Sequence, residues 1–202
     1  IYFKDLKLKT KLKAVVTAGP TKEYIDPVRY ISNKSSGKQG YEIAKSLLKK
    51  GFETTLISGP TNLEISNDID LIRVETAEEM FQSTLKSLPA DVAIFSAAVC
   101  DYKMKKTSKM KIKKQDKINL EFEKNVDILD YVSNHNSLRP KLVVGFAAET
   151  NDLENYASKK LSEKNCDWIV ANDVSNESIG FDSDFNEVSI LYKDNKIDRL
   201  KY

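Results

Sequence analysis

Two groups of residues in this sequence have the types and spacing to handle a phosphorylated ligand. The first is GPTKEYIDPVRYISNKS, residues 19–35, which runs into SSGKQG. It follows an apolar run, AVVTA at 14–18, that reads as a strand, and it spans 17 residues where a short turn would do. Loops beyond roughly 12–15 residues inside compact domains are usually functional. At its end Ser35 or Ser36 is placed to cap a helix, and Gly37 and Gly40 let a ligand approach the backbone. N–H groups at a helix start, aided by the helix dipole, suit a phosphate; the same residues also suit an ordinary N-cap. The second group is basic: KMKKTSKMKIKKQDK, residues 103–117, holds eight lysines against one aspartate. A block of this kind favours an anionic partner or plain solvation. Tethered at the end of an apolar run, it suits a flap that closes over a triphosphate and offsets charge as pyrophosphate leaves.

Between the two groups lies SAAVCDY, residues 96–102. Ser96, Ala97 and Ala98 are small where bulk would block a flat base or ribose, and Asp101 just beyond can accept hydrogen bonds from a hydroxyl or amino group. Further on, GFAAET ends another apolar run, with Phe146 able to stack on a base or to serve as core. Lys160 and Lys164 follow, four apart on one helical face. Neither the P-loop spacing nor the dinucleotide fingerprint G-x-G-x-x-G follows the first strand, so a nucleotide would need another grip. With one histidine and two isolated cysteines, Cys100 and Cys166, a metal cage or a Ser-His-Asp triad has little material.

The elements that must position these residues follow an α/β rhythm. Six apolar runs, at 14–18, 53–58, 71–75, 91–97, 141–147 and 167–172, alternate with helical patterns at 37–50, 77–87, 127–137 and 151–165. The first helix gathers Ile43, Ala44, Leu47 and Leu48 on one face, and an Asn or Asp in TND opens the last. This predicts one domain over 1–202, a Rossmann-like, mostly parallel sheet with flanking helices and ligands at the carboxyl ends of its strands. Two segments break the pattern. Residues 117–124 alternate Ile118, Leu120 and Phe122 with polar residues, as in a half-exposed strand. VSILYK and KIDRLK flank Asp194-Asn195, a pair suited to a tight hairpin.

Taken together, these stretches resemble phosphopantothenoylcysteine synthetase, in many bacteria the carboxyl-terminal half of a bifunctional decarboxylase/synthetase of coenzyme A biosynthesis. The resemblance runs from about Leu12 to Tyr202. TAGPTKEYIDPVRYISNKSSGKQG is its most specific string, followed in order by SAAVCDY, KIKK, EKNVDIL, VGFAAET and ANDVS. It implies a ligase that joins 4′-phosphopantothenate to cysteine through an acyl-cytidylate, with CTP as co-substrate and Mg²⁺ carried on the triphosphate oxygens rather than in a protein cage. Asn33 matches the asparagine that holds the acyl-cytidylate and helps convert it, and Lys111 the flap lysine that engages the triphosphate. Asp101, Phe146, Lys160 and Lys164 fall at CTP-binding positions, as do Lys124, Asn125 and Asp127. Arg29 would face the phosphopantothenate or a second subunit. The resemblance further implies a homodimer, with the 117–124 strand as its arm, and a fused or associated phosphopantothenoylcysteine decarboxylase. Gln39, Val126 and Cys100 depart from the family pattern at positions without assigned chemistry.

Rival readings fit less of the chain. Tyr156 and Lys160 form the Y-x-x-x-K of short-chain NAD(P)-dependent reductases, but the glycine-rich turn such enzymes need is missing. A nucleic-acid module would interleave aromatics with the lysines of 103–117, which contain none, and the formal net charge is only +2. An apolar share of 41% and a charged share of 31% suit a globular protein, and no run approaches the roughly 20 residues of a membrane span. The cytoplasm is the expected compartment, with neither nucleic acid nor membrane as a partner.

Overall fold

The computed structural model describes residues 11–114, 116–149, 151–173 and 187–201. Thr150 of GFAAET and Val174 and Ser175 of ANDVS lie outside them. Six parallel strands carry the fold: β1 (Lys13–Ala18), β4 (Glu53–Ser58), β5 (Asp70–Arg73), β6 (Val92–Phe95), β9 (Leu142–Glu149) and β10 (Trp168–Asp173). Their spatial order is β10-β9-β6-β1-β4-β5. The carboxyl-terminal hairpin, β11 (Glu187–Tyr192) and β12 (Ile197–Lys201), adds two antiparallel strands beside β10. As the Asp194-Asn195 pair predicts, its turn places Asn195 at φ 65° and lets the Asp194 carboxylate accept the Lys196 N–H.

Among the described residues four helices cover the sheet: α1 (Lys38–Lys49), α2 (Ala77–Lys86), α3 (Ile128–Ser133) and α4 (Leu153–Glu163). On one face α1 lays Ala44, Ile43, Leu47 and Leu48 over Val16 and Leu56. On the other, Met80, Phe81, Leu129, Val132, Ala157 and Leu161 from α2, α3 and α4 enclose Val15, Val143 and Ile169 in the largest core cluster. These side chains have almost no exposure, the usual source of folding free energy at about 25 cal/mol per Å² of apolar surface removed from water. The alternation of a strand decides which cluster each residue joins.

Two expectations change. The helix expected over 127–137 stops at Ser133, because Asn134 leaves helical geometry and His135 Nδ1 accepts the N–H groups of Ser137 and Leu138 in a turn. The strand expected over 117–124 forms only at β8 (Phe122–Lys124), and it pairs antiparallel with β7 (Tyr102–Met104) of its own chain.

Candidate functional site

The segment after β1 is not a plain loop. It folds into an antiparallel hairpin, β2 (Lys22–Tyr24) and β3 (Tyr30–Ser32), turned by Asp26, whose Oδ1 accepts the N–H groups of Val28 at 2.8 Å and Arg29 at 2.9 Å. The hairpin lies over the start of α2. Lys22 N–H donates to the Glu75 carbonyl at 2.7 Å, and the buried Glu23 carboxylate accepts the Ala77 N–H at 2.9 Å, an acceptor placed where the helix dipole favours negative charge. The Tyr24 hydroxyl donates to Glu75 at 2.6 Å, and this bond, with burial and the carboxylate charge, pushes its pKa up to about 12.

Downstream of β3, the hairpin meets the end of β6. Asn33 Nδ2 donates to the carbonyls of Ala98 at 3.3 Å and Val99 at 3.1 Å. Thr21 N–H also donates to the Ala98 carbonyl, and Pro20 forms an isolated bridge with Ala98. Cys100, which departs from the family pattern, is buried here: its N–H donates to Thr21 Oγ1 at 2.9 Å, and its sulfur lies 3.5 Å from the Thr21 carbonyl oxygen. Burial pushes the Cys100 thiol pKa up, which makes it a packing group rather than a nucleophile.

The start of α1 is built for close approach. Gly37, at φ 78°, is its N-cap and no side chain caps it, which corrects the expectation that Ser35 or Ser36 would. Ser35 and Ser36 immediately precede it, their hydroxyls against the N–H groups of Gly37 and Lys38 at 3.3 and 3.5 Å. A Cβ on Gly37 would meet Thr61 at 2.8 Å, and one on Gly40 would meet Ala18 at 2.5 Å and Ser96 Oγ at 2.6 Å. Gly40 therefore serves helix-to-strand packing, and the Ser96 hydroxyl is spent on the Thr17 carbonyl at 2.6 Å.

The basic segment is docked on the same hairpin. Thr107 Oγ1 donates to the Tyr24 carbonyl at 3.1 Å, Ser108 N–H to the Ile25 carbonyl at 3.0 Å, and Ile112 N–H to Asp26 Oδ2 at 3.1 Å. Arg29 pairs with Asp26 and donates to the Ile112 carbonyl at 3.0 Å. Arg29 thus faces its own chain's basic segment, a role its sequence context did not reveal. Lys111, one residue before Ile112, is exposed, and no described residue holds its ammonium. Asn33 and Lys111 accordingly hang from one hairpin on the carboxyl side of the sheet.

The remaining residues divide into two sets. Pairing of β7 with β8 sets Tyr102 against Lys124, and Asn125 binds the strand end twice, N–H to the Asp101 carbonyl at 2.8 Å and Nδ2 to the Cys100 carbonyl at 2.9 Å. Asp101 and Lys124 are exposed beside it, while Ala97 packs against the core. Asp127 caps α3 through the Asp130 N–H and pairs with Lys164 at 3.1 Å. Burial alone would lower the Lys164 pKa, but that hydrogen bond and the charges of Asp127 and Asp130 carry it above its ordinary value. Phe146 is separated from this set. It projects from β9 with Leu142 and Val144 toward Leu47 and Phe52, whereas α4, which bears Lys160 and ends at the C-cap Lys164, packs on the opposite face through Ala157 and Leu161. Tyr156 of the reductase motif is 46% exposed on α4. Among the described residues no group of three or more His, Cys, Asp or Glu converges on a metal-sized site, and no helix is long and apolar enough to cross a membrane.

Residues 9–202 match the family model described as the DNA/pantothenate metabolism flavoprotein C-terminal domain. The chain is 45% identical over 184 residues to the coenzyme A biosynthesis bifunctional protein CoaBC of Haemophilus influenzae, covering 90% of this chain and 46% of that protein. It is 45% identical over 183 residues to the protein of the same name from Bacillus subtilis, covering 89% of this chain and 45% of that protein. The chain thus spans about half the length of these relatives. The crystal structure of the C-terminal domain of a coenzyme A biosynthesis bifunctional protein CoaBC superposes with a TM-score of 0.78 at 39% identity, over 96% of this chain and 87% of that one. A Cab2 mutant, H337A, in complex with phosphopantothenate-cysteine shares the fold at a TM-score of 0.76 and 16% identity, over 95% of this chain and 80% of that one.

Proposed function

This chain belongs to the family of DNA/pantothenate metabolism flavoprotein C-terminal domains, and we propose that it is a phosphopantothenate-cysteine ligase acting in coenzyme A biosynthesis. The observation that carries the reading is the shared hairpin: Asn33 follows β3, and the Ile112 backbone beside Lys111 is bonded to the turn of the same hairpin. A carboxylate does not acylate an amine at neutral pH, so the reaction needs activation. The carboxylate oxygen of 4′-phosphopantothenate attacks the α-phosphorus of CTP and pyrophosphate leaves. The cysteine amine then attacks the acyl carbon, loses a proton and displaces CMP.

In this scheme the Lys111 ammonium meets the triphosphate and offsets the charge that builds as pyrophosphate departs. Mg²⁺ travels on the triphosphate oxygens, the usual habit of magnesium with nucleotides. Asn33 sits against the Ala98 and Val99 carbonyls, where an acyl-nucleotide over the strand ends would lie. Asp101, Lys124 and the Asp127–Lys164 pair form a polar rim next to it, with Asn125 bracing that rim through the backbone.

The same reading takes the protein as a homodimer. Val28, Tyr30, Ile31, Tyr102 and Phe122, between 37% and 59% exposed on the two small hairpins, supply an apolar face for a second copy. The bifunctional names of the relatives support a fused or associated decarboxylase, and the biosynthetic role supports the cytoplasm. The deciding experiment incubates the protein with phosphopantothenate, cysteine, Mg²⁺ and each of the four common ribonucleoside triphosphates in turn. Release of CMP and pyrophosphate with formation of phosphopantothenoylcysteine is expected with CTP alone; no product with any triphosphate removes the ligase reading.

A further inference from the structure

Asp26 is bound far more heavily than its turn requires. An Asx turn needs only the local N–H groups, here Val28 and Arg29 on Oδ1. The carboxylate has no exposed surface, and its other oxygen accepts Arg29 Nε at 3.0 Å, Arg29 Nη2, and Ile112 N–H at 3.1 Å from 86 residues further along the chain. Ionised carboxylates are costly to bury unless donors surround them, and five donors do so here. The Arg29 guanidinium first, then the N–H groups of Val28, Ile112 and Arg29, hold its pKa well below the usual carboxylate range against the burial that would raise it.

The long-range bonds of Asp26 and Arg29 converge on one residue, beside the two that Thr107 and Ser108 give to the Tyr24 and Ile25 carbonyls. Ile112 N–H is taken by Asp26 and its carbonyl by Arg29 at 3.0 Å, so both backbone groups are fixed as in a strand pair. Lys111 next to it is exposed, and no described residue holds its ammonium. We propose that Asp26 is a positioning residue for the first half-reaction: acting through Arg29 and Ile112, it latches the basic segment onto the hairpin so that the backbone beside Lys111 is fixed while the Lys111 side chain moves onto the triphosphate. This rests on the ligase reading above and adds a residue to which that reading gives no role.

Asp26→Asn is the direct test, since Oδ1 can still accept the two turn N–H groups while Nδ2 opposes Arg29 and Ile112 with donors. Ile112→Pro breaks the latch from the other side by removing one N–H in a segment outside the core. In both variants pyrophosphate release at saturating CTP should fall at least about tenfold, while a single turnover of pre-accumulated acyl-cytidylate on adding cysteine should change less than about twofold. Asp26→Asn added to Lys111→Gln should cost less than about twofold beyond Lys111→Gln alone, the non-additivity of residues acting through one group. Independently of catalysis, tryptic cleavage after Lys111 should speed up at least about tenfold in Asp26→Asn, because cleavage reports local opening. Wild-type rates of pyrophosphate release, full additivity with Lys111→Gln, or an unchanged tryptic rate would each overturn the latch. Wild-type protein that releases no pyrophosphate from any triphosphate overturns the ligase reading and the positioning role with it, and the tryptic rate then judges the contact alone.

Discussion

Asn33 Nδ2 donates to the Val99 carbonyl at 3.1 Å, with the Ala98 carbonyl 3.3 Å away as a second acceptor. Two carbonyls fix the orientation of the carboxamide, since only its NH₂ group can serve both. Oδ1 is left as the group that faces away from the strand end.

Replacing Asn33 with aspartate sets carboxylate oxygens against those carbonyls. Acyl-nucleotide should accumulate and product formation should fall on the order of 10²-fold, the usual effect of losing one positioned polar group at a reacting centre. Chromatography of quenched reactions containing cysteine reads both species. Since Asn33 is exposed, the thermal midpoint should stay within a few degrees of wild type; product at the wild-type rate would remove Asn33 from the mechanism.

Lys111→Gln should stop the reaction one step earlier. With the ammonium gone, pyrophosphate release should drop by about 10²-fold or more while the fold stays intact, because the side chain is exposed and bonded to nothing described. A coupled pyrophosphate assay alongside circular dichroism checks this, and a large loss of ellipticity would reassign the effect to folding.

Both thiols should be silent in the native protein. Cys100 is 4% exposed and Cys166 fully buried, and burial pushes the Cys166 pKa from 9.0 to about 11. A folded pKa above the unfolded one gives stability that is complete below pH 9 and is lost as pH rises through about 11. Titration with a chromogenic disulfide at pH 8 should find neither thiol reacting quickly until denaturant is added. The denaturation midpoint should decline from pH 9 to 11, less so in Cys166→Ser.

Gly40→Ala sets two effects against each other. Alanine favours a helix over glycine by about 1 kcal/mol, but its Cβ would lie 2.5 Å from Ala18 Cβ and 2.6 Å from Ser96 Oγ. Overpacking of that kind costs roughly 1–3 kcal/mol, so a net loss of stability is expected in urea denaturation. A variant more stable than wild type would show that α1 shifts at no cost.

At the opposite end of the sheet, Arg139 donates to the Ser133 and Asn165 carbonyls and to Asp167, which also accepts the Val143 N–H at 2.7 Å. Asp167→Ala leaves that N–H and the guanidinium short of an acceptor, a loss of about 1–3 kcal/mol. Turnover per folded molecule should be unchanged, because this cluster joins the amino ends of β9 and β10. A selective fall in kcat would reveal coupling across the sheet.

The parallel sheet was legible in the sequence because its inner strands are buried on both sides and so write continuous apolar runs, as in AVVTA and LVVG. The β2–β3 hairpin was not, because its strands are three residues each and alternate Lys22, Glu23 and Tyr24 without a core face; Asp26-Pro27 between Tyr24 and Tyr30 was the available signal. Asn33 and Lys111 stand out only through the family resemblance of the strings that hold them. The service of Asp26 and Arg29 to a segment more than 80 residues away leaves no local pattern. Nor does the run GFAAET disclose that Phe146 and the α4 lysines occupy opposite faces, which depends on strand parity and on where α4 docks.

The polar groups buried in and beside the β2–β3 hairpin are Thr21, Glu23 and Asp26, whereas the sheet core is mostly valine, isoleucine, leucine and alanine. A module retained mainly by directional bonds opens at a lower free energy than one retained by apolar packing, so the protein has two tiers of cohesion. Catalytic competence should vanish at a urea concentration where tryptophan fluorescence and ellipticity still report an undisturbed scaffold, and amide exchange across residues 21–33 should outpace that of β1 on either side of the same threshold.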